Sequence, residues 1–372
     1  MRRSAATIPK YQVVFDAVHE DIRSGRLPAG ARVPSEAELV EQFGASRITV
    51  GRAMRDLQRM GLVERRVGSG TYVCRPAAVA AAECTFGLLV PDLPDIEIFE
   101  PLIRNLISCP DARPHAFLWG GGDESNGSRA AATWSRAQQY LTRRVDGVFF
   151  APLEYLPPDD PTNIRVASAL AEAGIPVVLL DRSVYPYPRR GPYDLVGIDN
   201  RRAGFAITEH LLEQGARRVA FLGSMNAAST VGARRAGYRE ALDALGADAA
   251  LAGHPVPTPD DRAAIAAYLD RHRPDAIVCA NDRGAARLMH TLLGLGHRIP
   301  QDIRLAGVDD VEYAAWLPVP LTTVHQPVQQ IGEAAMAAML ERRAHPGRPA
   351  RDIFVQCPLV IRESCGAAAT AS

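Results

Sequence analysis

Ser46-Arg47-Ile48-Thr49-Val50-Gly51-Arg52-Ala53-Met54-Arg55-Asp56-Leu57-Gln58-Arg59 is the stretch on which the reading of the N-terminal region turns. Val50, Ala53, Met54 and Leu57 recur at the helical period and predict an inward stripe. Ser46 stands where an N-cap serine accepts from the unpaired first amides. Arg47, Thr49, Arg52, Arg55 and Arg59 then face outward. Hydroxyl and guanidinium groups at the start of a helix, beside amides at the positive end of its dipole, suit phosphates and base edges.

Upstream, Pro34-Ser35-Glu36-Ala37-Glu38-Leu39 predicts a capping box that opens a second helix, with Leu39, Val40 and Phe43 inward. Only Gly44-Ala45 separates it from Ser46, a connection short enough for a helix-turn-helix. Val14, Val18 and Ile22, four apart within Tyr11–Ile22, predict an earlier amphipathic helix that ends at the Gly25-to-Gly30 run. Downstream, Leu62–Arg66 and Thr71–Val73 read as two strands around Val67-Gly68-Ser69-Gly70. That hairpin is a wing: Arg65 and Arg66 enter the turn, and glycine at its tip lets backbone approach a sugar-phosphate rail.

The series Gly25, Leu27, Gly30, Pro34-Ser35-Glu36, Glu38-Leu39, then Ser46-Arg47, Thr49-Val50, Arg52-Ala53, then Leu57, Gly61-Leu62-Val63, then Gly68, Gly70-Thr71, Val73 resembles the DNA-binding domain of GntR-type regulators. The resemblance implies that Ser46, Arg47, Thr49 and Gly68 lie at double-stranded DNA. Ser35, Arg52, Arg65 and Arg66 complete the expected DNA-binding set. Many relatives carry arginine where this chain has Ala37 and Gly51, so the contact set differs here.

Composition fits this division. The 372 residues exceed one ordinary domain, and the zero formal charge splits into +5 up to Pro76 and −5 beyond it. A basic head on an acidic body points to a polyanion for the head alone. The six cysteines form no CxxC pair and have no histidines at zinc-ligand spacing, so neither a metal nor a disulfide framework is expected. MRRSAATIPK lacks an apolar core and no run of about 18 apolar residues occurs, so a cytoplasmic location is expected.

We assign residues 1–75 to the winged helix-turn-helix, 76–84 to an alanine-rich linker, 85–366 to the body and 367–372 to a tail. In the body, Phe86–Val90, Gly147–Ala151, Pro176–Asp181, Leu195–Ile198, Val219–Gly223, Ala276–Ala280 and Leu305–Val308 read as strands. Helical stretches such as Ala203–Gln214, Ala233–Leu245, Ala263–Arg271 and Gly284–Leu293 alternate with them. The fold class is therefore multidomain, α+β in the head and α/β with parallel sheets in a two-lobed body. Asp181, Asn281, Asp309 and Asp310 stand at strand ends, where ligands of open parallel sheets bind, although Asp310 and Asp282 equally suit loop capping.

The ordered motifs Val177–Arg182, Val196-Gly-Ile-Asp199-Asn200 with Gly204, Arg234-Arg with Gly237-Tyr238, Ala280-Asn281-Asp282, Ile299-Pro with Asp302, Gly307-Val-Asp309-Asp310 and Leu321-Thr-Thr-Val324 resemble the effector-binding domain of lactose-repressor-type regulators, itself similar to periplasmic sugar-binding proteins. The resemblance implies a cleft in which Asp181, Arg234, Asn281 and Asp309 hold a sugar or small polyol; the stretch Pro91–Phe99 departs from the commoner pattern and offers Phe99 either as a stacking ring on that wall or as a core residue. The resemblance also implies a hinge at Leu321–Val324 and a homodimer on a palindromic operator. A purine or nucleoside effector is the alternative ligand class. An enzyme is disfavoured by the lack of a GxGxxG after the first strand, of a P-loop, of GxSxG and of HExxH, and no cofactor is expected.

Overall fold

Three helices and a hairpin build the N-terminal unit: α1 (Lys10–Arg23), α2 (Glu36–Phe43), α3 (Arg47–Arg59), β1 (Val63–Arg66) and β2 (Gly70–Val73). The computed structural model describes residues 10–23, 26–28, 30–59, 62–66, 69–73, 83–90, 97–120, 128–157, 159–223 and 228–367, without the side chains of Arg23, Arg59 and Arg66. The expected capping box forms: the Ser35 hydroxyl accepts from the Glu38 amide at 3.3 Å, and the Glu38 carboxylate accepts from the Ser35 amide at 2.6 Å. Gly44 ends α2 in the left-handed region, φ 55°, where glycine carries no steric penalty. The Ser46 hydroxyl then accepts from the Thr49 amide at 3.2 Å, capping α3. Val14, Val18, Leu39, Val50, Ala53, Leu57, Val63 and Val73 form the buried core.

β1 and β2 pair antiparallel, Val63 opposite Val73 and Arg66 opposite Gly70. A third segment joins them unannounced by any alternation. The Val33 amide donates to the Thr71 carbonyl at 2.8 Å and the Val73 amide to the Ala31 carbonyl at 2.9 Å. Arg32 thereby stands opposite Tyr72 and lies against Gly70, whose φ of 123° suits glycine alone.

The second unit begins at Cys84. Its first lobe takes β3 (Thr85–Leu89), α4 (Phe99–Ser108), β4 (Ala116–Leu118), α5 (Arg129–Arg143), β5 (Gly147–Phe150), α6 (Thr162–Glu172), β6 (Val177–Leu180) and β7 (Asp194–Ile198). Its second lobe takes α7 (Asn200–Glu213), β8 (Val219–Leu222), α8 (Ser229–Ala244), α9 (Arg262–His272), β9 (Ala276–Cys279), α10 (Asp282–Gly294), β10 (Arg304–Asp309) and β11 (Thr322–His325). The chain returns to the first lobe as α11 (Val328–Ala344) and β12 (Asp352–Val355), then rejoins the second as β13 (Leu359–Val360). The sheets run β12-β7-β6-β5-β3-β4, all parallel, and β13-β11-β10-β9-β8, parallel except for β13. Helices cover the faces, so β5 and β6 are buried along their whole length and read as continuous apolar runs.

Two features hold this arrangement. Asp194, wholly buried on β7, accepts from Arg342 of α11 at 2.9 Å and from the Arg351 amide at 2.8 Å, tying three elements of the first lobe together. In the second lobe a Cβ on Gly204 would collide with the Arg234 carbonyl, and one on Gly237 with the Arg201 carbonyl. α7 and α8 therefore touch backbone to backbone, which is what the two glycines of the motifs are for.

The structure corrects several expectations. Cys84, assigned to the linker, is buried in the body core and its amide donates to His115 Nδ1 at 3.3 Å. Leu321–Val324 is no hinge: Thr322, Thr323 and Val324 are β-branched and pair in register with Ala306, Gly307 and Val308 inside the second sheet. The crossing falls just beyond, at Gln326-Pro327, where proline ends the strand and α11 begins. Short β4, β12 and β13 escaped the sequence reading because edge strands of two to four residues show no sustained pattern. The linker at 76–82 and the tail at 368–372 lie outside the described residues.

Candidate functional site

On the head, the first turn of α3 gathers the expected polar groups. Arg47 is exposed, and Thr49 is half-buried with its hydroxyl 2.8 Å from that of Ser46. Arg52 is exposed, its guanidinium 4.4 Å from the centre of the Tyr11 ring, so α1 braces it. Arg65 is exposed on β1, Arg66 closes the strand opposite Gly70, and Gly68 lies outside the described residues. The Ser35 hydroxyl is engaged in capping α2.

Two residues escaped the sequence reading. Ile48 is 82% exposed between Arg47 and Thr49, an apolar side chain with no packing role in the free head. Its signal was its position, since it falls outside the inward stripe of α3. Arg32 is exposed beside the wing, but only through the third-segment pairing, which nothing local announces.

In the body, the carboxyl ends of the parallel strands face one another across a cleft of about 800 Å³, partly open to solvent. Asp181, Arg234, Asn281, Asp309 and Phe99 all line it. Asp181 ends β6 in the left-handed region, φ 67°, and is 92% buried, being 8% exposed. Its Oδ2 accepts from Arg182 Nε at 2.9 Å, while its Oδ1 is buried with no hydrogen-bond partner among the described residues. Arg182 also pairs with Glu154. Burial works against the Arg182 charge, but Asp181 and Glu154 more than offset it and hold the guanidinium above its ordinary value.

Across the cleft, Arg234 is almost fully buried on α8. It donates from Nε to Asn200 Oδ1 at 2.7 Å and from Nη1 to the Ala280 carbonyl at 2.5 Å, and lies 3.6 Å from Asp309 Oδ1. Asp309 ends β10 at φ 131° and accepts from Gln326 Nε2 at 2.7 Å. Burial pushes the Asp309 carboxyl well up, Arg234 opposes that, and Asp282 adds to it. The Asn281 Oδ1 caps α10 by accepting from the Gly284 amide at 2.8 Å, leaving its amide nitrogen for the cleft.

Phe99 is 3% exposed and belongs to the core, with the Arg182 guanidinium 5.4 Å from its ring centre, so it supports the floor through Arg182. Asp282 and Asp310 serve the scaffold. Asp282 accepts from the Thr323 hydroxyl at 2.6 Å and the Val311 amide at 3.2 Å; Asp310 binds His325 at 2.9 Å and Arg362 at 2.6 Å. At the mouth the Tyr313 hydroxyl donates to Glu97 at 2.9 Å, joining the lobes directly, and burial together with Glu97 raises the phenol.

Among the described residues the cleft lining has no His, Cys or Ser, and no group of three or more His, Cys, Asp or Glu is arranged to hold a metal ion. No described helix is long and apolar enough to cross a membrane.

The comparisons with known proteins match both units. Residues 10–73 match the family described as bacterial regulatory proteins of the gntR family, and residues 208–365 match the periplasmic binding protein-like domain. The arabinose metabolism transcriptional repressor of Geobacillus stearothermophilus is 25% identical over 96% of this chain and 98% of its own. A transcriptional regulator of the LacI family from Sanguibacter keddieii is 31% identical, with a TM-score of 0.57, over 77% of this chain and all of the other. The transcriptional regulator CelR in complex with cellobiose is 26% identical, with a TM-score of 0.62, over 86% of this chain and 91% of its own.

Proposed function

Because the chain belongs to the transcription regulators that join a gntR-family DNA-binding head to a LacI-type effector domain, we propose that it is a cytoplasmic repressor released from its operator by a sugar or related polyol. The observation that carries the ligand class is Asp181 Oδ1, a buried carboxylate oxygen without a partner among the described residues, on a side chain that lines the cleft. A buried acceptor left unsatisfied is costly, and a ligand hydroxyl satisfies it. Asp309 and the Asn281 amide offer a second acceptor and a donor across the gap, and Arg234 holds Asp309 in place. Alternating donors and acceptors of this kind fit vicinal hydroxyls. The relatives support repression and carbohydrate by name: one is an arabinose metabolism repressor and one structure holds cellobiose.

In the head, Ser46, Arg47 and Thr49 would present the start of α3 to the major groove, with Arg52 braced alongside, while Arg65 and Arg32 track the phosphates; Arg66 and Gly68 join them on the sequence reading alone. Ile48, which nothing covers in the free head, would pack on a thymine methyl. Ser35 supports the site through the α2 cap. A homodimer on a palindromic site gives two such heads their two half-sites. The chain is not an enzyme in this reading, and it uses neither metal nor cofactor.

The test is a gel shift on the DNA flanking the gene, repeated with a panel of carbohydrates and nucleosides, with calorimetry on the purified full chain. Release by a carbohydrate, lost in Asp181→Asn, supports the reading. Binding of a nucleoside and of no carbohydrate overturns the ligand class.

A further inference from the structure

Gly51 stands inside α3, where glycine lowers helix stability relative to alanine. Nothing in the free head asks for it. Its backbone is not in the left-handed region, and a Cβ built on it would meet, among the described residues, only Nη1 of Arg55, at 3.9 Å. Gly204 and Gly237 differ, since a Cβ on either would strike a carbonyl. What Gly51 leaves open is the strip of α3 over which the Arg55 guanidinium lies.

Arg55 reaches that strip because a long helical side chain leans toward the helix N-terminus and covers the turn before its own Cα. It is exposed, and Arg47, Gly51 and Arg55, four apart, form one column along the helix. The positions three and four residues from it are Gly51, Arg52, Gln58 and Arg59; none is acidic and two carry its own charge. Arg52 is engaged elsewhere, its guanidinium 4.4 Å from the centre of the Tyr11 ring. Arg55 thus gains little from its helix neighbours, while its planar fork has a cleared path toward the helix start, the part of a recognition helix that lies nearest the base edges.

Resting on the reading of the head as an operator binder, we propose that Arg55 determines sequence specificity, its fork donating to O6 and N7 of a guanine in each half-site across the space left by Gly51. Gly51 is the positioning residue: without a side chain there, Arg55 lies along α3 instead of being turned away from it.

In the experiment that decides it, purified full chain, wild type or variant, selects from a randomised DNA duplex library, and affinities are then measured on the duplex the wild type prefers. The wild-type consensus is expected to hold a guanine in each half-site at which Arg55→Ala loses its preference, the other positions keeping theirs. Arg55→Ala is expected to bind the wild-type duplex roughly tenfold or more weakly, with an unchanged melting temperature. Gly51→Ala, whose methyl fits beneath the guanidinium, is expected to melt higher and to stay within about twofold on DNA. Gly51→Met fills the strip with an uncharged chain of good helix propensity. It is expected to lose the same preference as Arg55→Ala, and the double variant to bind no more weakly than the weaker single one. An unchanged consensus in Arg55→Ala, a loss uniform over all sequences with a shallower salt slope, a loss in Gly51→Ala as large as in Gly51→Met, or single losses that multiply in the double variant overturn this proposal and leave the operator reading standing. A wild type that selects no sequence overturns both.

Discussion

Arginine does opposite work in the two units. Arg47, Arg52 and Arg65 of the head are exposed, Arg52 braced by the Tyr11 ring of α1, whereas Arg182 and Arg234 of the body are almost fully buried and locked by carboxylates, an amide and a carbonyl. An exposed cation gains from a polyanion by releasing counterions, needs no exact geometry and is weakened by salt. A buried one is part of a prearranged site, insensitive to salt and intolerant of truncation. The head is therefore built for adjustable affinity and the body for discrimination.

The largest effect that sharpens this contrast is expected from Arg234→Ala, which leaves Asp309 buried without its cation. Unfolding free energy of the body is expected to fall by about 3–5 kcal/mol, and effector binding to vanish, both nearly independent of salt. A loss below about 1 kcal/mol in urea unfolding, the size of a surface ion pair, would break the distinction between the two kinds of arginine. Arg47→Ala is the counterpart. Its expected cost is about 1–3 kcal/mol in operator affinity if it reads a base, with unchanged stability. A uniform loss over all DNA sequences and a shallower salt slope would instead mark it as a phosphate clamp.

A pH measurement tests the buried side. The folded Asp309 carboxyl is raised above its unfolded value by burial, so its stabilising contribution is present below about pH 4, the unfolded carboxylate value, and is lost as pH rises through the folded one. Asp309→Asn is expected to flatten that decline, the raised Asp282 retaining the remainder. An unchanged slope in the variant would mean that folding does not raise the Asp309 carboxyl. The smallest effect belongs to the exposed side: replacing operator thymines by uracil is expected to weaken the wild type by about 1 kcal/mol, roughly one buried methyl, and to leave Ile48→Ala unaffected.

The same contrast explains what could be read in advance. The head was legible almost completely, because caps, a helical stripe and a glycine turn are local: Ser35, Glu38, Ser46 and Val50 each answer to neighbours within four residues. Arg32 was not, since its place comes from pairing with a strand some 40 residues on. In the body the long central strands declared themselves, and Asp181, Arg234, Asn281 and Asp309 do meet in one cleft. What each does there was hidden. Arg182 takes Oδ2 of Asp181 while Oδ1 has no partner among the described residues, and the same guanidinium lies over Phe99. Thr322–His325 looked like a connection because its sheet neighbour, Arg304–Asp309, lies beyond an intervening turn.

The threefold crossing between lobes has a consequence for the order in which the chain is made. The head is whole once Val73 has emerged from the ribosome. The first lobe waits for Asp352–Val355 to complete its sheet, and until Arg342 and Arg351 arrive, Asp194 on β7 has neither of its cations. The second lobe waits longer still, for Leu359–Val360. Domains generally fold as they are synthesised, N-terminal first. A nascent chain of this protein thus carries a finished DNA reader for most of its synthesis before it owns any means of sensing a ligand.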